Sequence, residues 1–205
     1  MNSEKIILFG GTFDPIHLGH IIVASAAFEN IDADRIIFIP AKLSPLKESF
    51  PTASNEDRLN MIKLAISEYN KFEISDYELK RPAPSYTLDT VRYFRTVFGG
   101  NTEIFCLIGA DNIDELIYWH GIIELIDECN LCTMYRAGCE TPDFKKFESK
   151  WGAERVKILQ NNIVKTPLVE ISSTQIRRFI ASKGTFSDTL HPAVADYIEE
   201  HRLYK

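Results

Sequence analysis

Apolar, β-branched runs alternate along this chain with segments of helical period, the pattern of a parallel sheet with crossover helices. The run KIILFGG (5–11) predicts a buried strand ending in glycines. LGHIIVASAAFEN (18–30) predicts a helix and ADRIIFIPA (33–41) the next strand, so residues 5–41 form one βαβ unit. A loop with Pro45 and Pro51 covers 42–53, and a helix from Glu56 to Tyr69 follows, capped by Ser54 with Asp57 three residues on. FEISDYEL (72–79) alternates like a strand, Thr87 to Phe98 is helical and stops at Gly99-Gly100, and EIFCLIGA (103–110) is a second fully buried strand. Shorter helices come next, with strands at NLCTMYRA (130–137) and RVKILQ (155–160). Two helices close the chain: Ser173–Lys183, opened by Ser172 or Ser173, and Pro192–Arg202, with Pro192 in its first turn. The expected fold class is α/β. A doubly wound parallel sheet would occupy residues 1–170 and a small C-terminal helical subdomain residues 171–205, in one compact unit.

Composition narrows what such a domain can do. The 205 residues are 45% hydrophobic and 25% charged, the balance of an ordinary globular protein. A chain of this size buries about 70% of its unfolded surface, enough for a core without disulfides or structural metal. With 23 Lys and Arg against 29 Asp and Glu, the net charge is −6 and the pI about 5.4. That balance argues against broad binding to nucleic acid or to an anionic membrane, which requires a basic face. If the protein handles anions, a few local positive groups must do it. MNSEKIILFGG has no basic region ahead of a long apolar one, and no apolar stretch approaches the roughly 20 residues that span a bilayer. The four cysteines, Cys106, Cys129, Cys132 and Cys139, lie in or beside apolar runs. They predict a reduced, cytoplasmic protein. Cys129 and Cys132 have C-x2-C spacing with His120 not far off, but a pair with one member inside a strand is read as core packing, so no zinc or other bound metal is expected.

Most of the chemistry is concentrated in FGGTFDPIHLGH (9–20). A strand ends at Gly10-Gly11, the chain turns through Asp14-Pro15, and a helix begins near His17. Adjacent glycines let backbone approach a ligand closely and tolerate positive φ. The helix start presents free N–H groups, a seat for phosphate. His17 and His20, three apart, share one face, and Gly19 keeps that face open. Two such imidazoles need a bound anion to favour protonation, and can then donate to phosphoryl oxygens. Capping and turn formation alone leave unexplained why two of the five histidines and three of the ten glycines gather here.

This segment resembles the T/HxGH signature of the nucleotidylyltransferase superfamily, whose members join a nucleoside monophosphoryl group to a phosphorylated substrate and release pyrophosphate. The resemblance implies a Rossmann-like sheet and an ATP site built from Gly10, Gly11, Thr12, Phe13, His17 and His20, the histidines stabilising charge on the reacting phosphates. No covalent intermediate is implied, since positioning and electrostatics suffice. Near the C-terminus, ISSTQIRR (171–178) sets Ser173 and Thr174 at a helix start with Arg177 one turn on, a second anion clamp. It is similar to the superfamily's ISSTxIR motif, which grips the triphosphate and adds Arg177 to the catalytic set.

Further segments resemble the bacterial-type nicotinate-nucleotide adenylyltransferases: RPAPSYTLDT (81–90), LIGADNIDELIYWH (107–120), SPLK (44–47) and DYIEEHRLY (196–204). By that resemblance Gly109 and Asp111 hold the adenosine, at the strand ends where open α/β sheets bind ligands. Trp119 stacks on the pyridine ring, Tyr86 and Thr87 supply hydrogen bonds near its carboxylate, and Lys47 and Arg136 face phosphates. Two residues depart from the family pattern: Leu46 replaces a histidine, and Ile122 stands where many members have a second tryptophan. The implied reaction is ATP plus nicotinate mononucleotide giving deamido-NAD and pyrophosphate, in NAD biosynthesis, with Mg²⁺ accompanying ATP. Alternatives are a nicotinamide-mononucleotide or pantetheine-phosphate adenylyltransferase, a cytidylyltransferase, or a non-catalytic nucleotide sensor. A class I synthetase is excluded by length and the lack of a KMSKS-like loop. The preference between nicotinate and nicotinamide stays open, as does oligomeric state, with a homo-oligomer compatible.

Overall fold

The structure, a computed structural model, describes residues 3–47, 49–136, 140–182 and 188–205, with Arg136 described in its backbone only. Ala137, Cys139 and Lys183, which end or follow expected elements, lie outside the described residues, and so does the side chain of Arg136.

Strand β1 (Lys5–Gly11) leads into helix α1 (Leu18–Ile31) and strand β2 (Arg35–Pro40), the βαβ unit expected. Helix α2 (Asn55–Ala65) follows, with the Asp57 N–H donating to Ser54 Oγ as its cap. Next come β3 (Phe72–Ile74), α3 (Tyr77–Lys80), α4 (Thr87–Phe98) and β4 (Glu103–Gly109). Two 3₁₀ turns then carry residues 110–112 and 116–118, ahead of α5 (Ile122–Glu128) and β5 (Asn130–Arg136). The chain closes through α6 (Glu148–Trp151), α7 (Ala153–Asn161), β6 (Ile163–Thr166), α8 (Ser173–Ala181) and α9 (Pro192–Glu200).

All six strands are parallel, in the order β3-β2-β1-β4-β5-β6. The winding direction reverses between β1 and β4, the Rossmann-like arrangement whose crevice lies beyond the carboxyl ends of those two strands. Period-2 alternation divides the core. Ile6 and Leu8 face one layer, with Leu88, Val91 and Phe94 of α4 and Leu125 of α5. Ile7 and Phe9 face the other, with Ala24 of α1, Met61 of α2, Ile176 and Ile180 of α8 and Val194 of α9. The C-terminal helices thus share a core with the strand that carries the glycines. Among the described residues no helix is long and apolar enough to cross a membrane.

Two expected strands differ. Residues 155–160 lie in helix α7: Val156 and Leu159 are buried three apart while Ile158 is exposed, a helical stripe rather than an alternation. The strand comes after it, at β6, where Val164 and Thr166 are buried around exposed Lys165. The alternation in 72–79 ends after three residues, because β3 is an edge strand and the chain turns at Asp76 into α3, burying Glu78 and Leu79 together. Helix α2 stops at Ala65, short of Tyr69, as the Tyr69 N–H turns back to Ile66 O.

Candidate active site

The carboxyl ends of β1, β2, β4 and β5 open on one cleft of about 450 Å³. Its wall brings together Gly10, Gly11, Thr12, Lys47, Tyr86, Thr87, Gly109, Asp111 and Trp119, nine residues singled out from the sequence in four separate segments. The two glycines act differently. A Cβ on Gly10 would meet open space, whereas one on Gly11 would come within 2.8 Å of the Phe13 ring. Both are strand residues paired with Ile39 and Pro40, and neither has positive φ. Phe13 instead takes the left-handed conformation (φ 48°), and its side chain is buried in the core. Lys47 Nζ donates to Thr12 Oγ1 at 2.9 Å, so the SPLK loop closes on the end of β1. Leu46 lines the cleft, while Ile122 is buried in the core away from it.

Phe13, His17, His20, Ser173, Thr174 and Arg177 gather instead at the turn at 12–17 and are not among the residues lining the cleft. His17 occupies the N-cap position of α1, and its ring stacks on that of His20, 3.7 Å between centroids. Phe13 packs edge-on against His20 at 5.0 Å. The His17 backbone N–H donates to His20 Nδ1 at 3.2 Å, so the His20 ring proton belongs on Nε2. Burial pushes the His17 imidazole down to about 4, and burial together with the neighbouring His17 pushes His20 well below its usual value. Both rings are therefore uncharged near neutral pH in the free protein.

The start of α8 docks onto the same turn. Ser173 Oγ donates to Pro15 O at 2.9 Å, and Arg177 Nη1 donates to Asp14 O at 2.6 Å. Arg177 Nη2 reaches Thr174 Oγ1 at 3.3 Å. Ser172 holds the N-cap position, but its side chain makes no capping bond.

Two buried charged residues at this turn escaped the sequence reading. The Asp14 carboxylate accepts the Thr52 and Ala53 amides at 2.7 and 3.0 Å and the Tyr204 hydroxyl at 2.8 Å. The fully buried Arg58 donates from Nη1 to Thr12 O and Ala41 O, both at 2.8 Å, and from Nη2 to Asn55 Oδ1 at 2.7 Å. Asp14 reads in sequence as half of a turn and Arg58 as a surface charge on a helix. Only their distant backbone partners distinguish them. Cys106, Cys129 and Cys132 are free and buried, and among the described residues no group of three or more His, Cys, Asp or Glu side chains could hold a metal ion.

Known proteins resemble this chain along its length. The cytidylyltransferase-like family model matches residues 8–179. A probable nicotinate-nucleotide adenylyltransferase of Dehalococcoides mccartyi is 37% identical, covering 100% of this chain and 98% of that protein. One from Neisseria meningitidis is 38% identical over 98% of this chain and 99% of its own length. Among solved structures, the nicotinic acid mononucleotide adenylyltransferase of Plasmodium falciparum complexed with NaAD superposes with a TM-score of 0.74 over 98% of each chain, at 19% identity, a likeness of fold.

Proposed function

The chain belongs to the cytidylyltransferase-like family and, within it, to the nicotinate-nucleotide adenylyltransferases, and from that premise we propose that it transfers the adenylyl group of ATP to nicotinate mononucleotide, giving deamido-NAD and pyrophosphate. The observation that carries this reading is the single cleft. It joins the strand end at Gly10–Thr12 and Lys47 to the SYTLDT and GADN…WH segments, so the residues proposed for the phosphates and an aromatic wall share one cavity.

In the proposed reaction a phosphate oxygen of the mononucleotide attacks the α-phosphorus of ATP in line. That P–O bond forms as the bond to pyrophosphate breaks, and no enzyme side chain becomes adenylylated. Gly10 leaves room for a phosphate close to the backbone. His20, neutral with its proton on Nε2, donates to a phosphoryl oxygen without first taking up a proton. A bound phosphate then raises the affinity of both rings for protons and so strengthens the contact as charge develops. Arg177, Ser173 and Thr174 hold the turn and the triphosphate from the other side. Gly109 and Asp111 receive the adenosine. Trp119, Tyr86 and Thr87 receive the pyridine, and Lys47 faces the phosphates, a part that the family resemblance alone assigns to Arg136 as well. Magnesium enters as part of the ATP substrate, on phosphate oxygens and water. The Asp14 carboxylate, bonded to two amides and a hydroxyl, fits a structural role better than that of metal ligand.

A pyrophosphate-release assay with ATP and, in parallel, nicotinate mononucleotide, nicotinamide mononucleotide and phosphopantetheine tests the assignment. Turnover is expected with nicotinate mononucleotide, and turnover with phosphopantetheine alone would refute it. His20→Ala should lower kcat by about 10²-fold or more with the fold intact by circular dichroism. A near-normal rate would remove His20 from the mechanism.

A further inference from the structure

One carboxyl on the cleft wall has no part in that scheme. Glu78, in α3, is 8% exposed and lines the cleft beside Ser85, Tyr86, Thr87 and Trp119. Its direct partners are hydroxyls. Thr90 Oγ1 donates to Glu78 Oε1 at 2.6 Å, and the Ser85 hydroxyl stands beside the same carboxyl on the cleft wall and favours its ionised form. Ser85 Oγ accepts the Lys42 N–H at 3.1 Å, so its own proton is free for Glu78. Arg81, a nearby cation, is engaged elsewhere, with Asp89 at 3.2 Å and the Tyr77 hydroxyl at 2.6 Å. Buried among neutral donors, the carboxyl holds its proton more tightly than an exposed glutamate does.

The two hydroxyls connect Glu78 to different parts of the cleft. Thr90 stands in the first turn of α4, one turn after Tyr86, and its Oγ1 also comes within 3.4 Å of Tyr86 O. Ser85 joins the 41–47 loop through the Lys42 amide and through its own N–H, which donates to Leu43 O at 2.9 Å. That loop continues to Lys47. A purely apolar side chain at 78 would take from Thr90 the closer of its two acceptors and leave it only Tyr86 O at 3.4 Å.

From this geometry we propose that Glu78 is a positioning residue for the mononucleotide: its carboxyl fixes the start of α4 relative to the 41–47 loop, and so sets the spacing between the pyridine and phosphate ends of the acceptor site. The inference rests on the reading of Tyr86, Thr87 and Trp119 as the pyridine site. It predicts an effect on one substrate only, which a general loss of packing would not produce.

The test is steady-state kinetics on Glu78→Ala, Glu78→Gln and Ser85→Ala with each substrate varied in turn. Glu78→Ala should raise KM for nicotinate mononucleotide about tenfold, with KM for ATP changed by less than about twofold. Glu78→Gln keeps an acceptor oxygen for the hydroxyls and should recover most of that loss. Ser85→Ala, the milder change, should move the same KM about threefold and serves in place of Glu78→Ala if that variant does not fold. Unchanged acceptor KM in these variants, or equal rises in both KM values, would overturn the inference while leaving the wild-type reaction standing. Wild-type protein that uses only phosphopantetheine would overturn the functional reading and this inference together.

Discussion

His17 and His20 lie ring against ring beside Phe13 and Phe9, with a backbone amide as the partner of one Nδ1 and none found for the other among the described residues. Such a pair resists protonation, and that has a cost in acid. The unfolded chain takes up a proton on His17 as pH falls through about 6.5, while the folded protein does so only near 4. Between those values the unfolded state binds more protons, so stability declines as pH falls across the window and levels off below it. The full shift corresponds to about 3 kcal/mol. The urea midpoint should therefore fall from pH 7 to pH 5, and His17→Asn should flatten that fall. Equal slopes for both proteins would show that His17 is not held neutral by the fold. At this scale the motif is legible because histidines three apart beside glycines are rare and local. Asp14 and Arg58 are not legible, since most of their partners are remote in sequence, and Glu78 is not, since its burial against Thr90 depends on how α3 meets α4. A carboxylate 190 residues from the hydroxyl it accepts leaves no local pattern.

Helices and strands follow the hydrophobic period wherever an element is long and fully covered. β1, β2, β4 and β5 and helices α1, α4, α8 and α9 form where expected because burial on one or both faces leaves one arrangement of their apolar residues. The misreadings fall where few apolar positions set the period. Residues 155–160 offer three apolar positions that suit either period, and only packing of Val156 and Leu159 under the sheet selects the helix. Element ends also matter to the proposed chemistry. Gly19, in the first turn of α1, is pressed between two groups: an added Cβ would lie 2.9 Å from His17 Nδ1 and 3.0 Å from Val169 Cγ1. Gly19→Ala gains helix propensity, up to about 1 kcal/mol, yet forces the His17 ring or Val169 to move. We expect kcat to fall about tenfold or more with the melting temperature within a few degrees of wild type. An unchanged kcat would show that the ring can shift without consequence.

Across the whole molecule, the turn at 12–17 is held from both sides by chain that is distant in sequence. Lys47 and Arg58 reach it from the loop and helix after β2, and Ser173, Arg177 and Tyr204 from the C-terminal segment. The Tyr204 hydroxyl closes this ring of contacts on Asp14, whose carboxylate pushes the phenol's own ionisation upward together with burial. Tyr204→Phe leaves Asp14 its two amide donors and should lower unfolding stability by about 1 kcal/mol in chemical denaturation. It should also speed proteolysis of the residues after α9. A midpoint equal to wild type would mean the last turn is held by packing alone. The net charge of −6 belongs to the exterior, while the cationic groups at the cleft and turn are few.

Sequence by itself determined the alternation of strands and helices, the doubly wound sheet and the motifs that carry the family resemblance, because these depend on local period and on residues close together in the chain. Tertiary structure alone decided that nine residues from four segments share one cleft, that the paired histidines are neutral, and that Asp14, Arg58 and Glu78 are buried. The physical reason is that burial and hydrogen bonding set the charge state of a side chain. Both arise from segments that meet only when the sheet closes.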